Sequence, residues 1–398
     1  MISSFSLYLV LMVAFWIYAW LGQRLVGRSN GEMGEPSKGH FQAVDGLRGV
    51  LALSVFVHHA WCMRNLCLRS LWSDEGDAIF SQAAVYAVTL FFFITGFVFW
   101  TKLQREPRLR FGKHLRSRIA RLVPAYWAVI GLILLSLVFD SEWIGWTSSV
   151  TTLKTINSWM LFTLPGTEGS DDWPLIGRLF LSVVWTLKLE WIFYLIIPFC
   201  GWFATRFWRT GLFVGLLLVI HTTVMMNTTN AAIPREIRTL ARVTTSNLMF
   251  CFSGGILVAE IRRLLCEHYS KINFRGVGFS IFGTGMLVWL FFLMPARYSL
   301  EESLWLLIPF LLVTLGNDWF GLLTSKPMLF LGKISYSVYL LHIILLFFTF
   351  HWINTIYPVG KISPMAYWLI IAGHGAVLIA LSALWHQLFE APFMKASR

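Results

Sequence analysis

Long apolar blocks without charge, rather than the i, i+3, i+4 stripe of a surface helix, set the pattern of this chain. Ser3–Gln23, Ala78–Thr101, Gly276–Ala296, Ile334–Gly360 and Ile362–Phe389 contain no Asp, Glu, Lys or Arg. Each reaches the roughly 20 residues that an apolar helix needs to cross a bilayer. They are too long for the tilted strands of a barrel, so the spans are helical and satisfy every backbone amide within their own helix. The pattern predicts eleven, near 4–22, 44–62, 78–101, 122–140, 187–204, 210–227, 244–260, 276–295, 302–317, 328–352 and 366–389. The expected fold class is all-α, a polytopic helical membrane protein with about 11 transmembrane helices.

Composition agrees. The AVILMFWYC set supplies 57% of the 398 residues and charged residues only 13%, with a mean hydropathy of +0.66. A soluble globule carries about 25% charged residues. The 32 Lys and Arg against 20 Asp and Glu give +12, a balance that on a soluble chain points to nucleic acid. Its placement says otherwise: alternating the loops puts 22 of the 32 basic residues on one side. The positive-inside rule makes that side cytoplasmic, with the N-terminus outside and the C-terminus inside. Arg235, Arg238 and Arg242 fall on the other side and argue against this. The first span has no basic residue before it and no small-residue cleavage site, so it reads as an anchor rather than a cleaved signal peptide. The five cysteines show neither metal spacing nor a disulfide framework, although Cys62 and Cys67 share one connection and are close enough in sequence to pair.

Two connecting segments stand out. Lys102–Arg121 holds eight basic residues, among them Arg118 and Arg121. Ser141–Lys188 is far longer than an ordinary connection and is expected to be external. It carries Trp143, Trp146, Trp159, Trp173 and Trp185 with Glu142, Glu168, Asp171 and Asp172. Tryptophan beside carboxylates suits a sugar, whose C–H face lies on a ring while its hydroxyls take hydrogen bonds; the aromatic belt of any membrane protein explains the same tryptophans.

Charge inside the spans is the sharpest signal, because each such residue costs several kcal/mol unless paired or wet. The second span places Asp45, Arg48, His58 and His59. At 100° per residue Arg48 and His59 differ by only about 20° and stand about 16 Å apart along the axis. Asp45, one turn before Arg48, shares that face. His58 points about a quarter-turn away. Arg48 is expected near the cytoplasmic end and His59 in the outer half. Glu190 lies in the fifth span, and a start at residue 187 places it just inside the outer end. At that depth its carboxylate would orient His59 as a general base; a contact with Lys188 or with backbone explains it equally.

These residues resemble a known family. D-G-L-R-G at Asp45–Gly49, followed by His59, is similar to the signature of the acyltransferase family 3 membrane proteins. In order along the chain, Phe91–Phe97 resembles the family's F-F-x-x-S-G-F, with Thr95 for serine, and Arg118–Tyr126 resembles R-x-x-R-L-x-P-x-Y. Trp185–Tyr194 resembles W-S-L-x-x-E-x-x-F-Y, with Trp191 where an acidic residue often follows the glutamate. Gly332–His342 resembles G-x-x-S-Y-x-x-Y-L-x-H, and Glu390–Phe393 the closing E-x-P-F. The resemblance divides the chain into residues 1–40, an extra N-terminal helix and linker, and residues 41–398, a ten-helix membrane domain.

The resemblance implies transfer of an acyl group, most often acetyl, from cytoplasmic acyl-coenzyme A to a hydroxyl of a cell-surface saccharide or related glycoconjugate. Acyl-CoA would be a co-substrate, with no permanently bound cofactor and no metal. The expected partners are that donor, a saccharide or glycolipid acceptor and the bilayer, the membrane domain acting either alone or with a separate extracytoplasmic protein; no nucleic acid is expected. A bacterial cytoplasmic membrane is the expected location. In this scheme His59 is the general base or a transient acyl carrier, Glu190 its orienter, and Arg48, held by Asp45, grips the donor or polarises its carbonyl. Arg118 and Arg121 bind coenzyme A phosphates. Trp185, Tyr336, Tyr339 and His342 line the substrate pocket, core packing being the other reading of the tyrosines. The alternative from another class is a transporter or flippase for a glycolipid or small solute, in which the same buried charges mark a pathway. Transporters tend to show two similar halves, and the Asp45-to-His59 stripe has no counterpart later in the chain.

Overall fold

The computed structural model describes residues 4–29, 41–139, 149–164, 175–227, 247–269, 272–294 and 300–396, and every regular element among them is helical. The helices are α1 Ser4–Ser29, α2 Gln42–Arg69, α3 Ala78–Arg105, α4 Phe111–Phe139, α5 Ser149–Met160, α6 Leu175–Ile196, α7 Phe207–Asn227, α8 Asn247–His268, α9 Val277–Leu293, α10 Leu300–Thr314, α11 Lys326–Ile356 and α12 Pro364–Trp385. A wide turn at His386–Glu390 joins α12 to α13, Ala391–Ala396; Pro392, lacking an N–H, is the second residue after it.

Each predicted span overlaps a helix among the described residues, although the span at 187–204 runs eight residues past the end of α6 and that at 302–317 three past the end of α10. Six of these, in α1, α3, α4, α6, α11 and α12–α13, are long and apolar enough to cross a membrane. The chain is a helical integral membrane protein. Length and apolarity qualify these six of the eleven expected crossings; α7 and α9 are apolar but shorter, and α2 and α8 carry charge.

Local chemistry explains the ends. Asp77 caps α3 by accepting from the amides of Ile79 and Phe80 at 3.0 and 3.3 Å. Ser70 closes α2 in the left-handed region at φ 56°. Pro327 and Pro364 sit in the first turns of α11 and α12, where a missing amide hydrogen costs nothing.

The inner layer is α2, α3 and α11. The most apolar stretches of α3 and α11 are 83% buried, whereas that of α1 is 22% buried and faces outward. Glycine lets the inner helices touch backbone to backbone. A Cβ on Gly46 would stand 1.8 Å from the Leu323 carbonyl oxygen, one on Gly332 1.9 Å from that of Asp45, and one on Gly49 2.6 Å from Leu331 Cβ. Of the two glycines of D-G-L-R-G, Gly49 is thus docking surface for α11 and Gly46 for the turn that precedes it, the close-approach role of small residues in membrane bundles.

The segment expected as one long external connection is built differently. It contains α5, and α6 starts at Leu175, twelve residues before the expected edge of its span. Arg178 and the tryptophans make this stretch read as a loop, but Phe180, Val183 and Val184 are buried against the bundle and pull it into the helix. Trp159 on α5 is fully buried, and its carbonyl accepts from Tyr126 at 2.8 Å, so it is core rather than a sugar platform. Trp143, Trp146, Trp173, Glu142, Glu168, Asp171 and Asp172 lie outside the described residues, as do Arg235, Arg238 and Arg242. Cys62 and Cys67 both sit on α2 and are free thiols.

Candidate active site

The early start of α6 decides the chemistry of the site. Glu190 stands fifteen residues into that helix, about 22 Å from its first residue. It therefore reaches the end of the bundle that carries the basic connection, not the end where His59 lies. The expected pairing of Glu190 with His59 is not formed. The Glu190 carboxylate accepts from Tyr194 at 2.7 Å and from Thr95 at 3.5 Å, and the charges acting on it are Arg48, Arg121 and Arg118.

These groups share one cavity, with an empty volume of about 870 Å³ including its open mouth, bounded by α2, α3, α4, α6 and α11. Arg48, Arg118, Arg121, Glu190, Tyr336 and Tyr339 all line it, so six expected site residues meet. The remaining wall is mainly apolar, from Val88, Phe91, Phe92, Val98 and Leu122. Three guanidinium groups face one carboxylate in these surroundings, an arrangement that attracts an anion. Arg118 also lies over the Phe99 ring at 5.1 Å. Asp45, one turn below Arg48, acts on it electrostatically without lining the cavity.

The tyrosines present rings to the cavity while their hydroxyls tie helices together. Tyr336 donates to the Leu122 carbonyl at 3.0 Å, joining α11 to α4. Tyr339 donates to the Val183 carbonyl at 2.9 Å and meets Thr186 Oγ1 at 2.6 Å, joining α11 to α6. Both expected roles, lining and packing, are combined in each residue. Trp185 does not line the cavity; its indole N–H donates to the Ser182 carbonyl within α6 at 3.0 Å.

His59 and His342 do not line the cavity. Their rings, on α2 and α11, are joined by His59 Nδ1 and His342 Nε2 at 2.7 Å. The Tyr339 ring lies 5.9 Å from that of His342, linking the pair to the cavity wall. Trp72, in the turn after α2, stacks on His59 with ring centroids 5.7 Å apart. Neighbouring His58 is turned to the Phe80 carbonyl at 3.2 Å and Cys62 Sγ at 3.6 Å.

Sequence reasoning named neither Tyr194 nor Thr95 as a site residue. Tyr194 is four residues after Glu190, the helical spacing that brings side chains together, and Thr95 sits in the quoted Phe91–Phe97 motif. No such local signal pointed to His342 as the partner of His59.

A profile of the acyltransferase domain Acyl_transf_3 matches residues 41–385. Nodulation protein 10 of Rhizobium leguminosarum bv. viciae is 25% identical over 386 residues, covering 92% of this chain and 96% of the relative. O-acetyltransferase OatA of Staphylococcus aureus strain NCTC 8325 is 22% identical over 383 residues. That alignment covers 89% of this chain but only 57% of OatA. No solved structure matches the chain.

Proposed function

The chain belongs to acyltransferase family 3 and is a membrane O-acyltransferase, and we propose that it moves an acyl group, in the first instance acetyl, from acyl-coenzyme A to a hydroxyl of a saccharide or glycoconjugate. The observation that supports this reading is the cavity itself, lined by the guanidinium groups of Arg48, Arg118 and Arg121 and by Tyr339, whose ring lies 5.9 Å from His342 of the His59–His342 pair. Phe99 and Val88 on α3 mark its extent; eleven helical residues separate them, about 16 Å. The pantetheine arm of coenzyme A is equivalent to about four extended peptide residues, roughly 14 Å. Phosphates held by Arg118 and Arg121 at the basic end would therefore deliver the thioester towards Tyr339 and the histidine pair.

His59 removes the proton of the acceptor hydroxyl as the oxygen attacks the thioester carbonyl. The tetrahedral intermediate collapses, the C–S bond breaks, and the thiolate leaves and takes a proton, giving an ester and free coenzyme A. Arg48, supported by Asp45, compensates negative charge on the donor. Glu190, tied to Tyr194 and Thr95, keeps the three guanidinium groups from repelling one another. Membership of an acyltransferase family sets the transporter reading aside. The bacterial relatives and the basic end favour a bacterial cytoplasmic membrane with that end inside.

The test uses inside-out membrane vesicles supplied with radiolabelled acetyl-coenzyme A, following label into glycan and lipid fractions for wild type, His59→Ala and Arg48→Ala at matched expression. Transfer that needs both residues supports the reading. Equal transfer by all three proteins refutes the assignment of these residues, and absence of donor turnover in wild type refutes acetyl-coenzyme A as donor.

A further inference from the structure

We propose that His342 is a positioning residue that fixes the tautomer of His59, leaving Nε2 as the atom that accepts the substrate proton. The inference rests on the reading of His59 as the base and adds the device that prepares it. The Val338 carbonyl, His342 and His59 form one line of hydrogen bonds: His342 Nδ1 lies 3.2 Å from the Val338 oxygen, and His342 Nε2 lies 2.7 Å from His59 Nδ1. A carbonyl oxygen only accepts, so His342 Nδ1 carries the proton. His342 has no exposed surface, and the titratable groups acting on it and on His59 are histidines, namely His58, His374 and each other. Among the described residues no carboxylate acts on either ring, so a charged imidazole there would lack a counter-ion; His342 is neutral and its Nε2 holds a lone pair. His59 Nδ1 must then donate, and His59 Nε2 is the free base.

The ring geometry agrees. The two rings are 10° from parallel with centroids 5.0 Å apart, while the nearest nitrogens are 2.7 Å apart. Rings face to face would bring the centroids closer than this; these meet end to end, the orientation an N–H···N bond needs. His374, which acts on His342 only through its charge, meets Thr349 through Nδ1 at 3.1 Å, and the His342 Nε2 contact is with His59. During transfer, His59 becomes an imidazolium for as long as it holds the substrate proton. The lone pair of His342 then faces its Nδ1–H and stabilises the charge, the supporting role that oriented partners play for catalytic imidazoles.

The experiment combines nitrogen NMR with kinetics on the full chain in membranes. The protein is labelled with ¹⁵N-histidine, and the His59 signals are assigned by their loss in His59→Ala. In wild type at neutral pH, the expected result is a protonated Nδ1 and an unprotonated Nε2 on His59; in His342→Leu the two tautomers mix. With radiolabelled acetyl-coenzyme A as donor, His342→Leu is expected to lower the maximal transfer rate by about 10- to 100-fold, with the donor KM changed by less than about twofold. His342→Gln, whose side-chain oxygen also accepts from His59 Nδ1, recovers most of the rate. A His59 protonated at Nε2 in wild type overturns the proposal, as does a full rate in His342→Leu. Wild-type transfer by His59→Ala refutes the base assignment instead, while the nitrogen spectra still decide the tautomer independently.

Discussion

Replacing Gly332 by alanine tests whether the close docking of α2 on α11 sets the site geometry. An added Cβ would stand 1.9 Å from the Asp45 carbonyl oxygen and 2.7 Å from its carbon, whereas real Cβ atoms keep at least 3.0 Å from a neighbour. Both obstacles are backbone, so α2 must retreat by about 1 Å in an interior packed like an organic crystal. Overpacking of this kind costs about 1–3 kcal/mol. Arg48 and His59 both ride on α2, so an undamped retreat stretches the 2.7 Å His59–His342 bond to about 3.7 Å, outside hydrogen-bonding range. A misplacement of about 1 Å can cost on the order of 100-fold in rate. The assay pairs thermal unfolding in detergent with acetyl transfer in vesicles at a temperature where the variant remains folded. The expected result is a modest fall in melting temperature and a loss of transfer of at least about 10-fold. Gly131→Ala on α4 is the control, because nothing lies within 4 Å of its added Cβ; it should be neutral or stabilising by up to about 1 kcal/mol. Wild-type rate and melting in Gly332→Ala, or equal harm from the control, would refute the reasoning.

Other expectations follow from the same contacts. Tyr194→Phe removes the 2.7 Å bond to Glu190 and should lower stability by about 1–3 kcal/mol, read as a shift in melting temperature. Arg121→Ala should raise the KM for acetyl-coenzyme A about tenfold, whereas Arg116→Ala, exposed and outside the cavity, should leave it unchanged; equal effects would place the phosphates elsewhere. Trp159→Ala, at a fully buried position, should cost about 3–5 kcal/mol of stability. Cys266 is exposed at the basic end of α8. In a Cys67→Ser background an impermeant maleimide should label it in inside-out vesicles and not in right-side-out ones, and the reverse would invert the topology.

The apolar blocks, the stripe joining Arg48 to His59 and the R-x-x-R pair at Arg118 and Arg121 were legible because each is local: a period, a helical angle or a spacing carries it. The glycines of D-G-L-R-G were legible as a motif, and their physical work emerges only when Leu323, Leu331 and Gly332 are seen against them. Glu190 was found as a charged residue in a span, but its depth was misjudged. A helix end is set by what its first turns pack against, and Phe180, Val183 and Val184 belong to the core although Arg178 sits among them.

The amino-acid sequence alone determined that the chain is a helical membrane protein with ionisable groups on an inner helix face, because apolarity, length and periodicity act through hydrophobic transfer and local hydrogen bonding. Tertiary structure alone decided which of those groups meet. Glu190 joins the arginines because α6 begins at Leu175. His59 takes its partner from a helix 283 residues away, where register and depth arise from packing between helices rather than from any pattern within one.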